Sequence, residues 1–128
     1  MPTRILVDTN FLLIPVRFKV DIFTVSADAV NDLTEFYVSS RVLDEIQSLK
    51  EKAKPSFVKE LRLAEAFAGM CTLIVDPSDD EVDDSLVRLA LQENMVLGTT
   101  DSELRRKARA TGVKVIYLRQ KSYLILDG

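Results

Sequence analysis

Histidine is absent from this 128-residue sequence, and its absence removes more chemistry than any residue present suggests. Histidine is the usual base for serine and cysteine nucleophiles and the commonest zinc ligand, so triad hydrolases and zinc enzymes are disfavoured. The single cysteine, Cys71, has no internal disulfide partner, which agrees with a reducing compartment; between Met70 and Thr72–Val75 it reads as the buried end of a strand. Four glycines leave little material for a phosphate-cradling loop, and neither GxxxxGK(S/T) nor GxGxxG occurs. No apolar run is long enough to span a bilayer and no leader-like segment is visible, so a cytoplasmic protein without a membrane role is expected. Internal repeats and low-complexity segments are also missing.

Hydrophobic residues make up 47% of the chain, enough for one core without disulfides, and a single domain over residues 1–128 is expected. Net charge is only −3, but its distribution is uneven. Asp76, Asp79, Asp80, Glu81, Asp83 and Asp84 form an acidic run without a base, whereas the stretch from Arg105 to Lys121 is basic without an acid. This segregation suggests an acidic centre beside a basic rim.

Periodicity gives the elements. Ile5-Leu6-Val7 is a short apolar run that ends in Asp8-Thr9-Asn10, a buried strand feeding a helix that begins with Phe11-Leu12-Leu13-Ile14. A helix is expected over about Val20 to Leu33, a strand at Phe36-Tyr37-Val38, and a cap at Ser39-Ser40. Residues 41–53 carry Val42, Leu43, Ile46, Leu49 and Ala53 at helical spacing. Pro55 restarts a helix through about Ala68, and a strand follows at Leu73-Ile74-Val75. A helix through Val82, Leu86, Leu89 and Ala90, a strand at Val96-Leu97, a helix over 102–111 and strands at 113–118 and 123–126 complete the chain. The alternation predicts a three-layer α/β/α domain with a mainly parallel central sheet.

In such a sheet, ligands bind beyond the carboxyl ends of the strands, near the point where strand order reverses. Asp8 and Asp101 stand at strand exits, although aspartate there is also a common helix cap. Helix phase, at about 100° per residue, places Glu45 on the flank of the Val42-Ile46-Leu49-Ala53 stripe and Asp44 on the opposite side. The same construction puts Asp83 at the edge of its apolar stripe and Asp84 on the far side. First-turn acids also favour the helix dipole without any function. Carboxylates that converge repel one another and resist ionisation unless a cation neutralises them. With only oxygen donors available, Mg²⁺ or Mn²⁺ is favoured over zinc or copper, and such ions activate water and stabilise charge on a phosphodiester.

Four segments carry a family likeness, in order and across nearly the whole chain. They are Ile5-Leu6-Val7-Asp8-Thr9-Asn10-Phe11-Leu12-Leu13, Val42-Leu43-Asp44-Glu45-Ile46, Asp83-Asp84-Ser85-Leu86, and Thr99-Thr100-Asp101-Ser102-Glu103-Leu104-Arg105-Arg106. Together they resemble the PIN-domain nucleases, and most of all the branch of archaeal and eukaryotic ribosomal-RNA-processing endonucleases. The resemblance implies Mg²⁺ or Mn²⁺ dependence and endonucleolytic hydrolysis of RNA. It implies an acidic quartet of Asp8, Glu45, Asp83 and Asp101 that is catalytic and metal-binding, with Asp84 as an accessory metal ligand. Thr9, Asn10, Thr99 and Thr100 would hold the acids from behind. Arg105, Arg106 and Arg109, in the acid-free stretch, are candidate RNA contacts, with Arg105 and Arg109 sharing a helix face.

Other readings compete. A toxin-type ribonuclease would be paired with an antitoxin protein, whereas a processing enzyme would meet a ribosome-assembly partner. A non-catalytic RNA-binding or assembly module of the same fold would be expected to have lost an acid, and none is lost. An aspartate-nucleophile phosphotransferase would want a second aspartate two residues after Asp8, where Asn10 stands, and a signalling receiver would want a paired acid before it. Phe11, Leu12, Leu13, Phe57 and Leu61, if exposed, would offer a homodimer surface.

Overall fold

The computed structural model describes residues 2–128. Strands β1 (Thr3–Val7), β2 (Thr34–Ser39), β3 (Thr72–Ile74), β4 (Val96–Gly98), β5 (Val115–Arg119) and β6 (Tyr123–Asp127) form one sheet in the order β3-β2-β1-β4-β5-β6. Every pairing is parallel except the hairpin of β5 with β6. Helices α1 (Thr9–Leu12), α2 (Ile14–Phe18) and α3 (Ile22–Val30) follow β1, and α4 (Ser40–Lys52) and α5 (Pro55–Ala68) follow β2. Helices α6 (Val82–Gln92) and α7 (Ser102–Ala110) precede and follow β4. Helices lie on both faces, as the general right-handedness of parallel crossovers requires when the chain steps outward from β1 in one direction and returns through β4 in the other. That reversal, between β1 and β4, is the switch point at which open α/β sheets bind their ligands.

Local chemistry fixes the boundaries. Ile5, Leu6 and Val7 are fully buried, as befits a central strand covered on both faces. Helix α3 starts at Ile22, two residues later than its apolar pattern suggests, because the Asp21 carboxylate accepts from Phe23 N at 3.1 Å and from the Thr24 hydroxyl at 2.7 Å. It ends at Asn31, which adopts a left-handed φ of 55°. The Ser39 hydroxyl caps α4 by accepting from Arg41 N at 3.1 Å. Ala53 and Lys54 are extended ahead of Pro55, which separates α4 from α5.

Three expectations are corrected. Phe11, Leu12, Leu13 and Leu61 are core residues, and Phe57 is half-buried beneath the Arg17 guanidinium 5.5 Å from its ring, so they form no exposed dimer face. Cys71 is half-buried and lies before the strand rather than closing it. The cause is strand order: β3 is an edge strand paired only with β2, which leaves Leu73 and Val75 largely exposed. Leu49 falls off the buried stripe of α4, which rests on Val42 and Ile46.

At the switch point the two central strands touch a helix closely. A Cβ on Gly98 would lie 3.1 Å from the Phe11 ring, which is fully buried. The ring has little room to retreat, because Phe11 N donates to the Asp8 carboxylate at 2.7 Å. Gly98→Ala is therefore expected to lower stability by about 1–3 kcal/mol, the usual cost of overpacking, seen as a lower urea midpoint with an unchanged slope. An unshifted midpoint would show that this contact is not tight.

Candidate functional site

Each acid of the expected quartet is carried to the carboxyl end of the sheet by a different element. Asp8 follows β1 and is 5% exposed; its N–H donates to Gly98 O at 3.1 Å, which ties the end of β1 to β4. Asp101 follows β4 and caps α7, accepting at Oδ1 from Glu103 N at 2.8 Å and Leu104 N at 3.2 Å. Asp8 caps α1 in the same manner, with Oδ1 accepting from Phe11 N. Capping therefore occupies one oxygen of each carboxylate and leaves the second available for other work.

The second oxygen of Asp8 accepts from the Thr99 hydroxyl, and the same Thr99 oxygen accepts from Asp101 N at 3.0 Å. Thr99, itself fully buried, thus fastens the two aspartates together across the switch point. Glu45, half-buried in α4, accepts from the Thr9 hydroxyl at 2.6 Å, whereas its neighbour Asp44 is exposed. Asp83 is half-buried in the first turn of α6. Asp84 is exposed and faces Lys107 of α7 at 3.8 Å. Asn10 and Thr100 are exposed and hydrogen-bond to none of these acids among the described residues.

The charges of these groups act on one another. Burial pushes the Asp8 carboxyl up from 3.8 to about 7, against the Thr99 and Phe11 hydrogen bonds, and the charges of Glu45 and Asp83 raise it further. Asp83 is also raised, first by burial and then by Asp101, Glu45 and Asp84, while Lys107 opposes the shift. Among the described residues, no three acids close around one point to form a ready metal cage. Like charges with nothing between them stay apart, held by their own caps and threonines. The all-oxygen donor set and the unneutralised repulsion fit a hard divalent cation rather than a soft one.

The rest of the acidic run separates from this cluster. Asp76 is buried and its carboxyl is held down at about 2, mainly by the Ser85 hydroxyl, with Ser78 and Arg88 contributing. Arg88 pairs with both Asp76 at 2.9 Å and Asp80 at 3.1 Å, and Arg41 donates to the Ser78 and Asp80 carbonyls. This network clamps the loop between β3 and α6 and so sets where Asp83 emerges. Composition presented six acids as one centre; the fold uses two of them to anchor the segment that carries a third.

Against models of known families, residues 5–121 match the PIN like domain. The chain belongs to the PIN-like domain family. Ribonuclease VapC4 of Methanocaldococcus jannaschii is 26% identical over 127 residues, covering 98% of this chain and 97% of the relative. Ribonuclease VapC9 of Archaeoglobus fulgidus is 31% identical over 130 residues, covering 94% and 87%. Among solved structures, the PIN domain endonuclease Utp24 superposes with a TM-score of 0.79 at 19% identity, covering 98% of this chain and 92% of that one, which is a likeness of fold.

In this PIN-like domain the three arginines of α7 have different fates. Arg105 places its guanidinium 3.9 Å from the centre of the Tyr117 ring. Arg109 pairs with Asp127 at 3.5 Å and donates to Val113 O at 3.2 Å. It lies two turns down the helix, at the end of the sheet away from the carboxylates, so it does not join the acidic pole. Arg106 is exposed, 3.9 Å from Glu103. Sequence reasoning paired Arg105 with Arg109 by phase and missed that this shared face rests on the β5–β6 hairpin. Tyr117 was the available signal, an aromatic in the next strand.

The Asp8 shift makes stability depend on pH in a definite direction. The folded state holds the Asp8 proton more tightly than the unfolded chain, so this stabilisation is complete below about 4 and is lost as pH rises through about 7. A cation competes for the same carboxylate and binds better as pH rises. In the absence of divalent ions, Tm is expected to fall between these pH values, and Mg²⁺ or Mn²⁺ is expected to raise Tm far more at pH 8 than at pH 5. A metal-induced Tm shift that is the same at both pH values would contradict the assignment of Asp8.

Proposed function

We propose that this chain is a divalent-cation-dependent endoribonuclease that hydrolyses RNA phosphodiesters in ribosomal or other RNA processing. The observation that carries the reading is the group of acids at the switch point, each buried or half-buried, with burial and the neighbouring carboxylates raising the pKa of Asp8 and Asp83. Such a cluster costs stability and is hard to account for as structure alone. The two ribonuclease relatives, aligned over almost the whole chain, support the choice of RNA as substrate.

Asp8, Asp83 and Asp101 would hold Mg²⁺ or Mn²⁺, with Glu45 and Asp84 nearby, and the bound ion supplies charge neutralisation at the phosphodiester and activation of a water. The chain's own contribution is positioning. Thr99 keeps Asp8 and Asp101 in register, Thr9 orients Glu45, and the Asp76–Arg88 clamp fixes the approach of α6. Lys107, between Asp84 and Asp83 in its electrostatic reach, limits repulsion on the α6 side. A toxin role would use the same hydrolytic groups and add an inhibitory protein partner.

The test is time-resolved degradation of labelled RNA with Mg²⁺ or Mn²⁺ and with EDTA. Cleavage is expected only with the ions. Asp8→Asn and Asp83→Asn are expected to reduce it by roughly 100-fold or more, Thr99→Val by about 10- to 100-fold through lost orientation, and Asp44→Asn by no more than about twofold. An Asp8→Asn protein that cuts at the wild-type rate would refute the reading. Essential Asp44 with dispensable Glu45 would overturn the placement of α4.

A further inference from the structure

The carboxylate pole does not use the chemistry gathered on the β5–β6 hairpin. Register sets Tyr117 opposite Ile125 and Arg119 opposite Tyr123. Residues directly opposite, and residues two apart along a strand, share a face, so Tyr117, Arg119 and Tyr123 belong to one patch. Helix α7 covers the lower part of this face, where Arg105 stacks on Tyr117 and Arg109 meets Asp127. Toward the turn the cover by α7 ends, and Tyr123 borders a cleft shared with Val25, Asp28 and Ala29 of α3. Tyr123 is 43% exposed, and Arg119 and Lys121 are exposed and in no ion pair among the described residues.

The patch also points the right way. Gly98 pairs with Ile116, so Arg119 stands three residues beyond the end of β4, about 10 Å past it and at the same carboxyl end of the sheet as the acids. Arg105 N donates to Asp101 O at 3.0 Å, which puts the stacked guanidinium one helical turn from an acid of the cluster. The turn holds Gln120 and Lys121 at φ of 52° and 57°, left-handed conformations that residues other than glycine rarely adopt. These are the conformations a tight hairpin turn requires, and the turn carries the aromatic ring and the two cations at the carboxyl end of the sheet, on the strands beside β4.

We propose that Tyr123, flanked by Arg119 and the Arg105–Tyr117 stack, is a base-stacking subsite for single-stranded RNA whose phosphodiester lies at the carboxylate cluster. The inference rests on the ribonuclease reading and adds the form of the substrate. An exposed ring accepts the face of any unpaired base, the neighbouring cations meet its phosphates, and guanidinium planes extend the stack. A duplex, with its bases already stacked on one another, offers no such partner. Sequence preference should accordingly be slight and single-strand preference strong.

The test titrates wild type and variants with a short single-stranded RNA containing the fluorescent base 2-aminopurine, in EDTA across a salt series, with Mg²⁺-dependent cleavage measured in parallel. Binding by wild type is expected to quench the base. Tyr123→Ala should lose the quenching and weaken binding roughly tenfold at every salt concentration, leaving the salt slope unchanged, while Tyr123→Trp retains both. Arg119→Gln should lower the salt slope by about 0.7. If wild type cleaves RNA yet Tyr123→Ala binds and quenches as wild type does, the subsite is overturned and the ribonuclease reading stands. If wild type neither cleaves nor binds, both fall.

Discussion

The Thr99 hydroxyl is the joint on which the acidic pole depends. It donates to the buried Asp8 carboxylate and accepts from the Asp101 amide, so one side chain links the two aspartates at the exits of the paired strands β1 and β4. Those strands flank the reversal of strand order, where backbone amides and side chains converge without a strand between them. A carboxylate at such a place is expensive, and the raised Asp8 pKa is the measure of that cost. Thr99 and the Phe11 amide offset part of it by hydrogen bonding to the charged form.

The other acids arrive from outside this joint, each under separate control. Glu45 depends on α4, whose start is fixed by Ser39 and whose tilt follows the burial of Val42 and Ile46. Asp83 depends on the loop that Asp76 anchors through Ser85 and Arg88. Asp76 and Asp8 show opposite uses of buried aspartate. Asp76 accepts from Ser85 and Ser78 and faces Arg88, which hold its carboxyl well below the usual range, whereas burial first, and then the charges of Glu45 and Asp83, push Asp8 up to about 7. The first arrangement builds structure, and the second stores a charge imbalance that a divalent cation would relieve.

Local signals in the sequence reached a long way. Apolar runs closed by aspartate marked the exits of β1 and β4, and the phase of α4 and α6 separated half-buried Glu45 and Asp83 from exposed Asp44 and Asp84. Thr9 and Thr99 stand near Asp8 and Asp101 in the chain, but the carboxylates their hydroxyls donate to, Glu45 and Asp8, are brought to them only by the fold, and the equally near Asn10 and Thr100 are exposed and bond to no acid of the cluster. What could not be read was set by distant pairing. Strand order leaves β3 at an edge and Cys71 only half-buried, and the hairpin register places Asp127 under Arg109. The division of the acidic run required knowing that Arg88, twelve residues after Asp76 on the next helix, would turn back to it. Phe11, Leu12 and Leu13 after β1 and Leu61 of α5 lie in the core, the default for apolar residues at these positions, rather than on a dimer surface.

The switch-point carboxylates, on the reading proposed above, form a cation site. Anomalous scattering from crystals grown with Mn²⁺ tests it directly. Manganese is expected between Asp8, Asp83 and Asp101, with those side chains drawn together relative to their cation-free positions. Manganese absent from this pole, or bound instead at the Asp79–Glu81 segment of the loop, would contradict it.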